Sequence, residues 1–167
     1  VIDLGAGLDK LTLANAVNTV TVSNVETITG GTTNDLVTFG AAVTGATVDL
    51  GAGNDVLVFA AAGGTVTATN VETVTGSIAT DLLTLGSQAT GAIVDLGAGA
   101  DRLVLGNFVN TVTVSNVETV TGGVSSDTVT FSGAVTGATV DLGSGNDRLI
   151  LGAAGATVTV SNVETIT

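Results

Sequence analysis

The chain has 167 residues, 24 of them glycine, and contains no proline, cysteine, methionine, tryptophan, tyrosine or histidine. Fifteen acidic residues against three basic ones give a formal net charge of -12, which excludes the cationic surface that nucleic-acid phosphates demand. Charged, threonine or glycine residues interrupt every apolar run before the roughly 18 residues a membrane helix needs, so no membrane insertion is expected; without cysteine there is no disulfide or thiol chemistry.

In chain order, the first element is a glycine-rich turn, Gly5 to Asp9, entered from Ile2-Asp3-Leu4. Leu11 and Leu13 follow at period two, the mark of a strand with one buried face. Val20 and Val22 repeat the alternation, and Asn24 then supplies a corner, where its side chain can bond the backbone. A second turn, Gly30 to Asp35, leads into Val37 and Phe39, after which Ala46, Val48 and Leu50 alternate. At Gly51 the series begins again. Val-Asp-Leu-Gly recurs with its aspartate at Asp49, Asp95 and Asp141, and Asn-Val-Glu-Thr starts at Asn24, Asn70, Asn116 and Asn162, so both markers give a period of 46 residues.

Each unit divides into a half of 25 residues (5–29, 51–75, 97–121, 143–167) and a half of 21 (30–50, 76–96, 122–142), which predicts seven coils in a single segment spanning 1–167. In every half a turn aspartate is followed two and four positions later by apolar residues, from Leu11 and Leu13 to Leu149 and Leu151. A unit this short cannot bury its own apolar face, so coils must stack with like strands parallel at about 4.8 Å. The expected fold is all-β: a parallel β-solenoid of the β-roll or β-helix type, with alternating 25- and 21-residue coils in a rod ~34 Å long. The sequence opens and closes in mid-pattern and reads as a piece of a longer repeat protein, with neighbouring repeats or identical chains end to end as its expected partners.

The turns Leu50-Gly-Ala-Gly-Asn-Asp55, Leu142-Gly-Ser-Gly-Asn-Asp147 and Gly30-Gly-Thr-Thr-Asn-Asp35 resemble the glycine-rich nonapeptide of the repeats-in-toxin (RTX) family, a parallel β-roll that binds a column of Ca²⁺ along its turns. The likeness covers all seven halves. It implies Ca²⁺ along one edge, with oxygen ligands from Asp9, Asp35, Asp55, Asp81, Asp101, Asp127 and Asp147 and from the carbonyls of Gly51, Gly53, Gly97, Gly99, Gly143 and Gly145. The pattern departs from the family's where leucine replaces the first glycine in the longer halves, and where Thr33, Ala79 or Ser125 replaces the third in the shorter ones.

Electrostatics offers separate support for a cation. Aspartates stacked at ~4.8 Å would repel by about 1 kcal/mol per neighbouring pair in water and roughly 3 to 4 kcal/mol at an effective dielectric of 20. The competing reading is that each aspartate closes its turn by a hydrogen bond to the backbone. The other eight acids, Asp3, Asp49, Asp95 and Asp141 with Glu26, Glu72, Glu118 and Glu164, read as a solvated acidic edge or as a second line of ligands. Lys10, Arg102 and Arg148 each follow a turn aspartate and read as local charge balance.

Nothing in the sequence converges as catalysis requires, because the carboxylates recur identically in each repeat and histidine and cysteine are absent; no enzyme activity is expected. The expected role is a structural, extracellular segment of a secreted bacterial protein (adhesin, surface layer or matrix filament) that binds Ca²⁺. The alternative is a cation-independent solenoid filament or engineered scaffold held by its apolar core.

Overall fold

A computed structural model describes residues 1–152 and 154–167. They form nineteen strands: β1 (Ile2–Asp3), β2 (Lys10–Thr12), β3 (Asn18–Ser23), β4 (Thr27–Gly31), β5 (Asp35–Phe39), β6 (Val43–Gly51), β7 (Val56–Val58), β8 (Gly64–Thr69), β9 (Thr73–Ser77), β10 (Asp81–Leu85), β11 (Thr90–Gly97), β12 (Arg102–Val104), β13 (Thr111–Ser115), β14 (Thr119–Thr121), β15 (Thr128–Phe131), β16 (Val135–Asp141), β17 (Arg148–Ile150), β18 (Ala156–Ser161) and β19 (Thr165–Ile166). Odd-numbered strands make one sheet of ten and even-numbered strands a second sheet of nine, each in sequence order and parallel throughout. The chain thus passes from sheet to sheet at every turn and climbs one coil per two strands. This is the parallel β-solenoid that the alternating apolar positions predict.

The coil is shorter than the 25- and 21-residue halves of the sequence reading. Register partners lie 17 to 21 residues apart, as with Asn18 opposite Asp35 and Thr44 opposite Thr65. The longer half holds three strands, for example β2, β3 and β4, while the shorter holds two, β5 and β6. A 46-residue unit therefore contains five strands, or two and a half coils. Asn24, Asn70, Asn116 and Asn162 cause the extra corner: each adopts the left-handed conformation, with φ of 52 or 53°. Asparagine reaches that region more readily than other side-chain-bearing residues. The strand beyond it places a single apolar side chain in the core, Ile28, Val74 or Val120.

A half-integral number of coils per unit turns each repeat by half a revolution relative to the last. β3 and its equivalent β8, 46 residues on, lie in opposite sheets, and only β13, 92 residues on, returns to the first. The two faces and the two edges of the rod thus carry the same sequence elements in alternation. Nine inter-strand spacings in the larger sheet give a length of about 43 Å.

The core is a single apolar column between the sheets. Val37, Leu57, Leu83, Leu103, Val129 and Leu149, each two residues after a turn aspartate, are fully buried. Phe39 and Phe131 are buried at the ends of β5 and β15 and Phe59 just beyond β7; Phe39 and Phe59 meet with ring centroids 6.3 Å apart, whereas Phe108 is partly exposed.

Close stacking at the turns demands glycine at defined points. Gly51 has φ +85°, and a Cβ there would lie 2.1 Å from the carbonyl oxygen of Gly31 in the coil beneath; Gly97 and Gly143 face Ser77 and Gly123 in the same way. Gly45 has φ +73° but open space around it. Gly45→Ala is therefore expected to cost the left-handed penalty alone, roughly 1–2 kcal/mol, and Gly51→Ala distinctly more. Urea unfolding of the two variants checks the difference, and equal losses would contradict the stacking.

Candidate cation site at the paired turns

The seven turn aspartates do not form the single column on one edge that the sequence suggests. The first edge is where the chain enters the ten-stranded sheet; the second is where it enters the nine-stranded sheet. Asp35 and Asp55 precede or begin β5 and β7 on the first edge, Asp81 and Asp101 stand at β10 and β12 on the second, and Asp127 and Asp147 at β15 and β17 return to the first. Asp9, before β2, stands on the second edge. The half-revolution per repeat is the cause. Repulsion is thereby limited to stacked pairs, each extended by a glutamate on the next coil.

Each pair is built into a hydrogen-bonded ladder. The Asp35 backbone N–H donates to Asp55 Oδ1 at 2.6 Å, and Asp55 N–H donates to Glu72 Oε2 at 2.8 Å. Below them, Asn18 N–H donates to Asp35 Oδ1 at 3.0 Å. The pattern recurs from Gly64 through Asp81 and Asp101 to Glu118, and from Asn110 through Asp127 and Asp147 to Glu164, at 2.6 to 3.0 Å. Asp9 N–H likewise donates to Glu26 Oε2 at 2.8 Å. The side chains of these glutamates bond backbone N–H groups of the coil beneath, and while Glu26 and Glu72 are half-buried, Glu118 and Glu164 are exposed, as the solvated-edge reading expects.

The remaining acids also have structural partners. Asp3, Asp49, Asp95 and Asp141 each accept the N–H of the glycine two residues on and the Nδ2–H of the corner asparagine one coil away, Asn24, Asn70, Asn116 and Asn162. Sequence periodicity gave no hint of this pairing, because its partners lie 21 residues apart on different coils. Lys10, Arg102 and Arg148 are exposed on the strands that follow the turns, as their positions predict.

Bonding separates the turn aspartates into two kinds. Asp35, Asp81 and Asp127 use both carboxylate oxygens, Oδ2 accepting from the N–H of Gly31, Ser77 and Gly123 at 3.4, 2.8 and 3.3 Å. These three close their own turns, as the backbone-bonding reading requires. Asp9, Asp55, Asp101 and Asp147 keep Oδ2 buried with no hydrogen-bond partner. A buried carboxylate oxygen without a donor is costly. Burial is the main cause that raises the carboxyl pKa of Asp55, Asp101 and Asp147 above the ordinary 3.8; the hydrogen bond from the paired aspartate's backbone opposes it, and the adjoining glutamate and aspartate charges reinforce it.

The glycine two residues before Asp55, Asp101 or Asp147 lies against the turn beneath, too close for any side chain. A Cβ on Gly53 would lie 3.0 Å from Asp55 Oδ1 and 2.9 Å from the carbonyl carbon of Thr33. One on Gly99 would lie 2.6 Å from Asp101 Oδ1 and 2.8 Å from the Ala79 carbonyl oxygen, and one on Gly145 would lie 2.9 Å from that of Ser125. A carboxylate and backbone carbonyls are the donor set of a hard cation. Among the described residues no three acidic side chains converge as a metal cage, so carbonyls would have to complete any coordination. Thr33 Oγ1 is a further buried oxygen without a partner in the first of these turns.

Comparison with protein-family models, curated proteins and solved structures returns no match. The fold and these turns are therefore read from their own geometry.

Proposed function

We propose that the chain is a structural rod segment of a secreted bacterial repeat protein of the adhesin, surface-layer or matrix-filament kind, and that Ca²⁺ seated in its turns stiffens it. The observation that carries the reading is the buried, unpartnered Oδ2 at Asp9, Asp55, Asp101 and Asp147, repeated at the same place in the glycine-rich turn of every longer half. In a chain of net charge -12 with three exposed basic residues, a divalent cation is the available countercharge. Its role is stabilisation by binding the folded state alone. This reading gives the rod no catalytic part, in keeping with carboxylates that recur in every repeat instead of converging at one place.

A second reading, a rod independent of cations, draws on the same ladders, because Oδ1 of Asp55, Asp101 and Asp147 already accepts a backbone N–H from the coil beneath. Far-ultraviolet circular dichroism and thermal melting in EGTA, then in millimolar calcium, separate the two. A melt that ignores both additions overturns the calcium reading and leaves the cation-independent rod.

A further inference from the structure

Each corner asparagine borders a cleft. The clefts lie between the Asn-Val-Glu corner and the loop that follows the strand stacked above it: residues 40–42 over Asn24, 86–89 over Asn70 and 132–134 over Asn116. The first two enclose about 60 and 50 Å³, room for no more than a few waters. The third encloses about 360 Å³, a volume within the range of small-molecule sites, about 300–1,000 Å³.

At one loop position the three repeats carry Ala41, Ser87 and Gly133. Ser87 Oγ accepts the backbone N–H of Asn70 at 3.0 Å and so closes the second cleft with a hydroxyl. Gly133 has no side chain to offer the matching N–H of Asn116, and a Cβ built on it would meet nothing within 4 Å. The second repeat therefore shows which group the third lacks: an alcohol oxygen on the corner N–H. The rim of the third cleft also holds acceptors. Asp95 Oδ1 takes Asn116 Nδ2–H and Gly97 N–H, and Glu118 Oε2 takes Asp101 N–H, while among the described residues Asp95 Oδ2 and Glu118 Oε1 have no protein donor. Buried Val117, Phe131 and Val135 form the floor. A donor and two acceptors above an apolar floor suit a molecule whose hydroxyls both accept and donate and whose C–H surface packs beneath them. The two carboxylates exclude an anionic one.

We propose that the cleft at Asn116 binds a neutral sugar ring. One hydroxyl takes the place that Ser87 Oγ holds in the second cleft, accepting from Asn116 N–H, and adjoining hydroxyls donate to Asp95 and Glu118. The site needs no cation and does not rest on the calcium reading.

Amide chemical shifts of the ¹⁵N-labelled chain, titrated separately with glucose, galactose, mannose and glucuronate, test it. At least one neutral sugar is expected to move the Asn116, Glu118, Gly133 and Ala134 signals saturably and to leave Asn70 and Ser87 in place, with glucuronate moving none. Gly133→Ser supplies the internal hydroxyl of the second repeat, and the open space at Gly133 accommodates it. This variant is expected to bind about tenfold or more weakly, from the lost hydrogen bond and the narrowed cleft. No saturable shift at these residues with any of the three neutral sugars would overturn the proposal, as would an equal response to glucuronate. Undiminished binding by a folded Gly133→Ser chain would overturn it too.

Discussion

The melting temperature of the EGTA-treated chain is expected to rise by roughly 15 to 30 °C in saturating calcium. A ligand that binds only the folded state stabilises it by about 2.7 kcal/mol per site at a hundred times its dissociation constant, so cations held at Asp55, Asp101 and Asp147 would together contribute about 8 kcal/mol. For a chain of this size each kcal/mol moves the midpoint by about 2 to 4 °C. The effect is large because the cation would meet carboxylate oxygens that otherwise lie buried with no donor, at Asp55, Asp101 and Asp147. Raised carboxyl pKa values at the same three residues have the same origin, in burial first and neighbouring acids second. Magnesium, which demands closer octahedral coordination and sheds water reluctantly, is expected to raise the midpoint far less. A rise equal for both ions would point to general screening of the acidic charge instead of seating in the turns.

Leu103→Ala is expected to destabilise the rod by about 2 to 5 kcal/mol, the range for truncating a fully buried leucine. Leu103 lies on β12 between Leu83 of β10 and Val120 of β14, all fully buried, so the cavity would interrupt the column on both sides. In a solenoid each coil is supported only by its neighbours. A break at the middle should therefore uncouple the two halves and broaden the transition as well as lower it. Thr139→Ala, on the exposed face of β16, is expected to change stability by no more than about 0.5 kcal/mol. Chemical denaturation followed by circular dichroism compares them, and a Leu103→Ala chain as stable and as cooperative as the parent would contradict the stacked core.

The inward positions were legible because strand periodicity is a local property. Val37 and Phe39, Leu57 and Phe59, or Leu103 and Leu105 sit at the spacing that a buried face imposes, and each is buried. Stacking in parallel followed from the repeat itself. The coil count was not legible, because β4, β9 and β14 each bury a single apolar side chain, which shows no alternation, and begin just after a left-handed asparagine whose identity suggests a bend and not a strand. Leaving residues 27–29 without a strand of their own hid half a coil in every longer half. That omission placed all turn aspartates on one edge, whereas an odd number of strands per unit must alternate them.

The aspartates themselves were found, since Asp ends every glycine-rich turn. Their division into two kinds was not. It depends on the paired turn: Asp35 takes the Gly31 N–H through Oδ2, whereas in the turn stacked above no backbone donor reaches Asp55 Oδ2. The backbone bonds of the glutamates were hidden for a related reason. Glu72 and Asp55 are 17 residues apart and meet only because that is one of the coil lengths.

Alternation of the turn aspartates between two edges gives the rod its two-sided character, and paired cysteines test it directly in a chain that has none of its own. Asn34, Asn54 and Thr80 are exposed and each immediately precedes a turn aspartate. Asn34 and Asn54 are stacked, with Asn54 N–H donating to Asn34 Oδ1 at 2.9 Å, while Thr80 belongs to the opposite edge. Mild oxidation is expected to close a disulfide in the Asn34→Cys/Asn54→Cys chain and none in the Asn54→Cys/Thr80→Cys chain. A disulfide forming as readily between positions 54 and 80 would restore the single column and contradict a unit of two and a half coils.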